Sequence, residues 1–441
     1  MSPTFRAFRV FNYRLWAAGA LVSNIGTWMQ RVAQDWLVLT VLTDHSAVAV
    51  GITTGLQFAP MLVLAPVAGV LADRVPKRRL LILTQTAMGV VGLVLGLLVV
   101  TGAAQLWHAY ALALALGVAA AVDAPARQAF VSEMVPREDL TNAVGLNSAS
   151  FHAARIVGPG LAGLLIAWVG TGPVFLLNAA TFAGTLFSLT HMRVAELSPA
   201  PPADRAKGQL REGLRYVRRR PDIVLIMAVV GLVGMFGLNF QMTTAIMATA
   251  QFGKGSGEYG LLGSIMAIGS LGGALLAARR ERPRLRLVVG ATFAFGVFAT
   301  AAALMPTYEL FAVSLIPVGL SSLTLMTSAN ATVQLSVDPQ MRGRVMALYM
   351  AIFMGGTPIG APIIGWVGSA LGPRWTILVG GLVSLVTAVV ALVYLVRSKR
   401  LRVRYRLRGT PHLLVTRARR DREDARARIG AEQAADDRSA A

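Results

Sequence analysis

The chain has 441 residues, 55% hydrophobic and only 14% charged, against about 25% charged in an ordinary soluble domain. That composition excludes a cytosolic globular enzyme, and it excludes a disordered chain, which would need low hydrophobicity. Lys and Arg total 42 against 21 Asp and Glu, a net charge of +21 that fits either nucleic acid or the cytoplasmic loops of a membrane protein. The start, Met1-Ser2-Pro3-Thr4-Phe5-Arg6, leads into a long apolar stretch without a small-residue cleavage site, so an uncleaved first span is expected.

A helix needs about 20 mostly apolar residues to cross the hydrocarbon core. That measure predicts spans at 15–42, 47–72, 80–102, 105–130, 142–169 and 173–192. A second set follows at 223–250, 258–278, 286–305, 308–335, 343–369 and 374–396.

Span one contains Asn24, Gln30, Arg31, Gln34 and Asp35. Ionisable groups inside a span are costly and point to function by default. Arg31 and Asp35 stand four apart, on one helix face, and can pair. Either they neutralise each other structurally, or Asp35 takes up a proton or a cationic group while Arg31 tunes it. Arg74, Lys77, Arg78 and Arg79 follow span two, and Asp123 and Arg127 lie near the end of span four. Span five holds His152 and Arg155 just before Gly158-Pro159, where the missing proline N–H predicts a kink. His152 reads as an interior histidine as readily as a site. Arg155 must face protein, headgroup or water, and it fits an anionic substrate group or an acid of span one or four.

Residues 194–222 contain Pro199, Pro201 and Pro202, then the basic run Leu210-Arg-Glu-Gly-Leu-Arg-Tyr-Val-Arg-Arg-Arg220. This reads as a central cytoplasmic linker with a short amphipathic surface helix. Asn239 and Gln241 supply polarity in span seven, and Thr324, Asn330 and Gln334 in span ten. Gly260, Gly263, Gly269, Gly272 and Gly273 in span eight predict close helix packing. Met235, Phe236, Phe240, Met242 and Met326 either line an adaptable apolar cavity or pack as core. Span eleven carries Pro358 and Pro362, again kink signals. The tail, 398–441, is Arg-rich to Arg428 and is expected to be disordered or a frayed helix.

The basic residues separate by side. Arg74 to Arg79, Arg137, Arg205 to Arg220, Arg279 to Arg286, Arg342 and Arg344 share one set of loops, while Lys254 and Arg374 alone occupy the other. The positive-inside rule therefore places both termini in the cytoplasm and requires an even number of spans. Trp16, Trp107, Trp168, Tyr308 and Trp375 fall near span ends, where amphipathic rings meet headgroups.

The halves repeat. Val135-Pro136 answers Val337-Asp338-Pro339, Gly158-Pro159-Gly160-Leu161-Ala162-Gly163 answers Gly360-Ala361-Pro362-Ile363-Ile364-Gly365, and Gly172-Pro173 answers Gly372-Pro373. The offset stays near 200 residues. Parallel six-span repeats with substrate held between them are a transporter architecture. The expected fold is an all-α membrane protein of twelve transmembrane helices in two pseudo-symmetric six-helix bundles. Its parts are bundle 1–193, linker 194–222, bundle 223–397 and basic tail 398–441.

The stretch Gly69-Val-Leu-Ala-Asp73-Arg74-Val-Pro-Lys77-Arg78-Arg79 resembles the loop signature of the major facilitator superfamily, in the family's place between spans two and three. Asp123-Ala-Pro125-Ala-Arg127-Gln128, Val135-Pro136-Arg137-Glu138-Asp139-Leu140 and Arg342-Gly343-Arg344-Val345-Met346 resemble its bacterial exporter subfamily that includes the enterobactin exporter. The resemblance implies alternating-access export driven by protons. It also implies a cytoplasmic gate drawn from Gly69, Asp73, Arg74, Arg78, Asp123 and Arg127, with Asp73 facing the N-terminal dipole of span eleven. Many proton-driven members carry an arginine three or four residues before a glycine in span four. Here Ala113, Leu114, Ala115 and Leu116 precede Gly117.

The resulting expectation is a secondary exporter of small hydrophobic or amphipathic molecules, by proton antiport, in drug or metabolite efflux (multidrug resistance). Asp35, Arg31, Arg155, Gln34, Asn239 and Gln241 are the candidates for proton coupling or substrate binding. The partners would be substrate, protons and membrane lipids, without nucleic acid, for a monomer in the inner (cytoplasmic) membrane. An importer, a uniporter or a non-transporting receptor remains open. With no cysteine, no paired-His site, no GxSxG and no GxxxxGK[ST], neither an enzyme, a metal, a cofactor nor ATP drive is expected.

Overall fold

Long apolar runs in lipid must satisfy their backbone internally, and helices do so within one segment. The computed structural model describes residues 3–198, 209–278, 285–338, 341–398, 401–406 and 412–417. Among the described residues, ten helices are long and apolar enough to cross a membrane. They are α4 (Lys77–Val100), α5 (Leu106–Met134), α6 (Leu140–Val169), α7 (Thr171–Thr190), the pair α9 (Pro221–Phe236) and α10 (Phe240–Ile246), α11 (Ser256–Ala278), α12 (Leu285–Ala303), α13 (Tyr308–Ser336), α14 (Arg342–Leu371) and α15 (Trp375–Ser398).

The first two expected spans miss that measure for separate reasons. α1 (Phe11–Trp36) is 26 residues long but mixes Arg14, Gln30, Arg31, Gln34 and Asp35 into its apolar sequence. α2 (Ala47–Val63) has only 17 residues; the chain bends at Leu64 and continues as α3 (Ala65–Arg74). Pro66, in the first turn of α3, has no N–H to give the Leu62 carbonyl, which removes one helical hydrogen bond at the bend. Counting α1 and the bent α2–α3 as passes as well would give the expected twelve.

The repeat is visible in the elements. α5 and α13 each have 29 residues, and α6 and α14 each have 30. α6 and α14 both stop at a left-handed glycine, Gly170 (φ 78°) and Gly372 (φ 100°), a conformation that side chains with a Cβ resist. Spans one and seven both end in a wide π-type turn, Leu37–Leu42 and Met247–Gln251.

Span seven departs from the expected single helix. It breaks over 237–239, where Asn239 leaves helical geometry (φ −88°, ψ 36°) and its amide donates to the Met235 carbonyl at 2.7 Å. A Cβ at Gly356 or Gly380 would stand 2.8 and 2.5 Å from backbone atoms of Met235 and Phe236, and one at Gly360 would collide with the Met235 carbonyl. Glycines of α14 and α15 thus seat the break.

The N-terminal half packs around Tyr13, Trp16, Leu80, Leu81, Phe130 and Leu189. Trp16, expected at a headgroup, is fully buried, edge-on to Phe130 at 5.5 Å. Tyr308 is likewise buried, donating to the Glu258 carbonyl at 2.8 Å, whereas Trp107 and Trp168 are exposed as expected. The two halves meet along α2–α14 and α6–α11. Gly51 and Gly55 of α2 face Ala361 and Pro362 of α14; Gly260 and Gly263 of α11 face Pro159 of α6. The absence of side chains lets the helices approach closely, and the expected kink prolines stand at these crossings inside otherwise continuous helices.

A short helix precedes the first span of each half and ties down the start of that half's fifth span. In the first half, Arg6 of the 3-10 turn Pro3–Arg9 pairs with Asp139, and the Ala7 N–H donates to the Asn142 side chain at 3.0 Å. In the second, α8 (Gln209–Arg218), within the predicted linker, pairs Glu212 with Arg344 at 2.6 Å, and Tyr216 donates to Asp338 at 3.1 Å. From Val386 onward the chain forms a separate unit. There Leu401–Arg406 (β1) pairs antiparallel with His412–Arg417 (β2). A disordered or helical tail was expected; the strict alternation Leu-Arg-Val-Arg-Tyr-Arg is a strand pattern that the arginine content masks.

Candidate functional site

The polar residues of α1 divide into two groups. Gln30 accepts from Asn178 of α7. Gln34 accepts from Gln57 of α2 at 2.7 Å and donates to the Ala109 carbonyl of α5 at 3.4 Å. These bonds lie within the N-terminal half; Gln34, a sequence candidate, is engaged there on both its oxygen and its nitrogen, whereas the Gln30 amide nitrogen is buried without a partner among the described residues.

Arg31 and Asp35 behave differently. Among the described residues, no ion pair joins them, although they lie one turn apart. The Arg31 guanidinium instead sits 5.0 Å above the Trp28 ring and 5.0 Å above the Phe58 ring of α2. Arg155 reaches in from α6 and stacks on Trp28 at 5.6 Å. Phe151, also on α6, meets Trp28 edge-on at 5.9 Å. One indole therefore carries two guanidinium groups from two helices, with a phenyl ring on either flank.

Asp35 is buried at the junction of the two halves. Its carboxylate faces the Tyr259 hydroxyl of α11, which also lies 3.1 Å from the Gln241 carbonyl of α10. That hydroxyl has one proton and two acceptors. Trp36 stacks on the Tyr259 ring at 6.1 Å, so Asp35 is covered by aromatic surface from both halves. In the second half, the amide oxygen of Asn239, the amide nitrogen of Gln241 and the hydroxyl of Thr324 are buried without a partner among the described residues. Unpaired polar atoms of that kind cost about 1–3 kcal/mol each and call for a ligand, water or a second conformation. Phe240 and Met242, which the sequence left as cavity lining or core, are core residues; Phe240 packs edge-on to Phe295 at 5.9 Å.

The gate candidates also divide. Asp123 is buried and accepts from Thr84 and Gln85 of α4 at 2.7 Å each, and from Arg127 at 3.0 Å. Arg127 in turn lies over the Trp16 ring at 5.5 Å. Arg78 donates to the Leu189 carbonyl at 2.6 Å, closing the end of α7. These three hold the N-terminal half together rather than reaching across to the other half. Gly69 and an exposed Arg74 lie on α3 with Asp73. The side chains of Asp73 and His152 lie outside the described residues.

Aromatic partners were the part sequence reasoning missed. Trp28, Phe58 and Tyr259 follow apolar helical periodicity and cannot be told from core or lipid-facing rings in one dimension. The available signal was Trp28 one turn before Arg31 on the same face.

Two pseudo-symmetric six-span halves, crossing at glycines and meeting over a charged, aromatic-walled centre, define a membrane transporter. The family model described as transmembrane secretion effector matches residues 2–411. The chain belongs to this family, within the major facilitator superfamily, and it is a multi-pass membrane protein. It is 28% identical over 375 residues to the enterobactin exporter EntS of Shigella flexneri, covering 82% of this chain and 86% of that one. It is 28% identical over 273 residues to the MFS-type transporter YfiS of Bacillus subtilis, covering 61% of this chain and 63% of that one. A bacterial homologue of the human lysosomal transporter Spinster, solved inward-facing and unoccupied, shares the fold at a TM-score of 0.67 with 16% identity, over 89% of this chain and 96% of that one.

Proposed function

We propose that this transporter exports small hydrophobic or amphipathic molecules across the inner membrane in exchange for protons, with both termini in the cytoplasm. The observation that carries the reading is Asp35, a buried carboxylate of α1 whose facing group, Tyr259, belongs to the other half. A charge held across a joint couples its ionisation to the opening of that joint. While Asp35 is ionised, Tyr259 can turn its proton to the carboxylate and the halves are held together at this end. A proton on Asp35 weakens that tie, and the hydroxyl is left to the Gln241 carbonyl. Protonation from the outer side would thus accompany opening, and loss of the proton inward would follow closure.

Closed α2–α14 and α6–α11 crossings on the Asp35 side support an inward-facing state. In the opposite state, Asp73 and Arg74 of α3 would close the cytoplasmic end against the start of α14, whose first-turn N–H groups favour an acid. The basic loops and linker orient the chain and favour anionic lipid. Resemblance to exporters among the relatives supports the direction, and drug or metabolite efflux is the setting.

The test is efflux from everted vesicles across a panel of dyes and antibiotics, with and without an uncoupler. Uncoupler-sensitive movement that Asp35→Asn abolishes is expected. Full proton-driven transport by Asp35→Asn, or no movement of any compound by the wild type, refutes the proposal.

A further inference from the structure

We infer that the Arg31–Trp28–Arg155 stack receives the anionic head group of an aromatic amphiphile, so that the transported compounds are organic acids rather than cations. The inference rests on the reading of the protein as an exporter and names its substrate class.

Among the described residues, two guanidinium groups, one carboxylate and the Tyr259 hydroxyl meet at this centre. Asp35 faces Tyr259 of the other half. Among the described residues, neither Arg31 nor Arg155 has a hydrogen bond or an ion pair within 4 Å; Arg31 feels the Asp35 charge one turn away, and the groups nearest both guanidiniums are rings, at 5.0 and 5.6 Å from Trp28 and 5.0 Å from Phe58. An arginine inside a span must face protein, water or ligand. Stacking on a ring offsets only part of the cost of taking such a charge out of water. A ring offers no lone pair to a guanidinium N–H, and the planar fork of those N–H groups matches a carboxylate, sulfonate or phosphate in two parallel bonds.

Position agrees with charge. Arg155 stands one turn before Gly158-Pro159, where α6 makes its crossing with α11 at Gly260 and Gly263. The stack therefore lies within one turn of the place where the two halves cross. Phe151 is 45% exposed beside it, an apolar surface for the substrate's own ring. A cationic substrate meets the opposite situation, since reaching Asp35 brings it within one turn of Arg31.

The experiment uses the full protein in zwitterionic nanodiscs and two probes that share one fluorophore, 1-pyrenebutyrate and 1-pyrenebutyl-trimethylammonium. Energy transfer from tryptophan to pyrene, with empty discs subtracted, reports binding of each. The wild type is expected to bind the acid at least about tenfold more tightly, the effect of one charge-assisted pair. Arg155→Gln and Arg31→Gln should each bring the ratio towards one, while Arg155→Lys, which keeps the charge but not the fork, retains part of it. A wild-type ratio at or below one, binding of neither probe, or an unchanged ratio in folded Arg155→Gln overturns the inference. Transport by wild-type vesicles with a flat head-group ratio would sink this inference alone, whereas vesicles that move nothing sink the exporter reading.

Discussion

Gly260→Ala should open this transporter at the α6–α11 crossing. Gly260 of α11 faces α6 so closely that an added Cβ would stand 2.5 Å from the Pro159 carbonyl oxygen and 2.9 Å from the Gly163 Cα. Both are backbone atoms, which cannot rotate aside. Overpacking of this kind costs about 1–3 kcal/mol. The contact exists only while the halves are closed at this crossing, so the cost falls on that state alone. The ratio of open to closed then rises about 5- to 150-fold. The chain contains no cysteine, so Ala361→Cys supplies a single thiol, at a position with 0% exposure beside Gly51 in the matching α2–α14 crossing. Alkylation of that thiol by a membrane-impermeant maleimide should speed up at least about fivefold when Gly260→Ala is added. Gly290→Ala is the control, because its Cβ meets nothing within 4 Å. It should leave the rate alone while stabilising α12 by up to about 1 kcal/mol. An unchanged rate in the Gly260→Ala protein, or an equal rise in the control, would show that this crossing does not set the conformational balance.

Two further outcomes follow from the site. Asp123→Ala strands Arg127 and removes the acceptor of Thr84 and Gln85, and should cost about 3–5 kcal/mol, seen as a large fall in melting temperature. A gate role would instead show as lost transport at an unchanged melting temperature. Asn239→Ala frees the Met235 carbonyl at the break of span seven and should cost about 1 kcal/mol. Thermal unfolding reads that loss, and a melting temperature unchanged or raised would show that the amide does not support the break.

The passes and the repeat were legible because both depend on one-dimensional signals. Apolar length marks a span, and a Gly-Pro pair at a fixed offset marks a half. Breaks were less legible. Gly237-Leu238-Asn239 is a helix-stop signal, yet an apolar window of 28 residues conceals it, and Pro66 hides equally well in span two. The site was half legible. Arg31, Asp35 and Arg155 stood out because charge is rare in a span. What each does depends on partners that sequence cannot order: the Tyr259 that faces Asp35 is more than 200 residues away. Arg78, Asp123 and Arg127 sit in a motif whose neighbours invite a gating role, but their partners, Leu189, Thr84, Gln85 and Trp16, are all within the same half.

The charge balance takes its meaning from those partners. Most of the basic residues fall in loops, linker and tail, where water and headgroups solvate them at little cost. In the spans, Lys77 finds Glu133 at 2.6 Å and Arg127 finds Asp123 at 3.0 Å, so their charges are neutralised locally. Among the described residues, Arg31 and Arg155 have rings but no acid within ion-pair distance. A protein under selection for stability alone would lose two such arginines, since replacing them by apolar residues removes a desolvation cost and leaves no acid stranded except Asp35. Their presence is intelligible if the missing partners arrive from outside: a proton or hydroxyl group for Asp35, and an acid for the guanidinium pair. The net positive charge of the centre is then a reason for substrate to enter, and its neutralisation by that substrate is a reason for the halves to move.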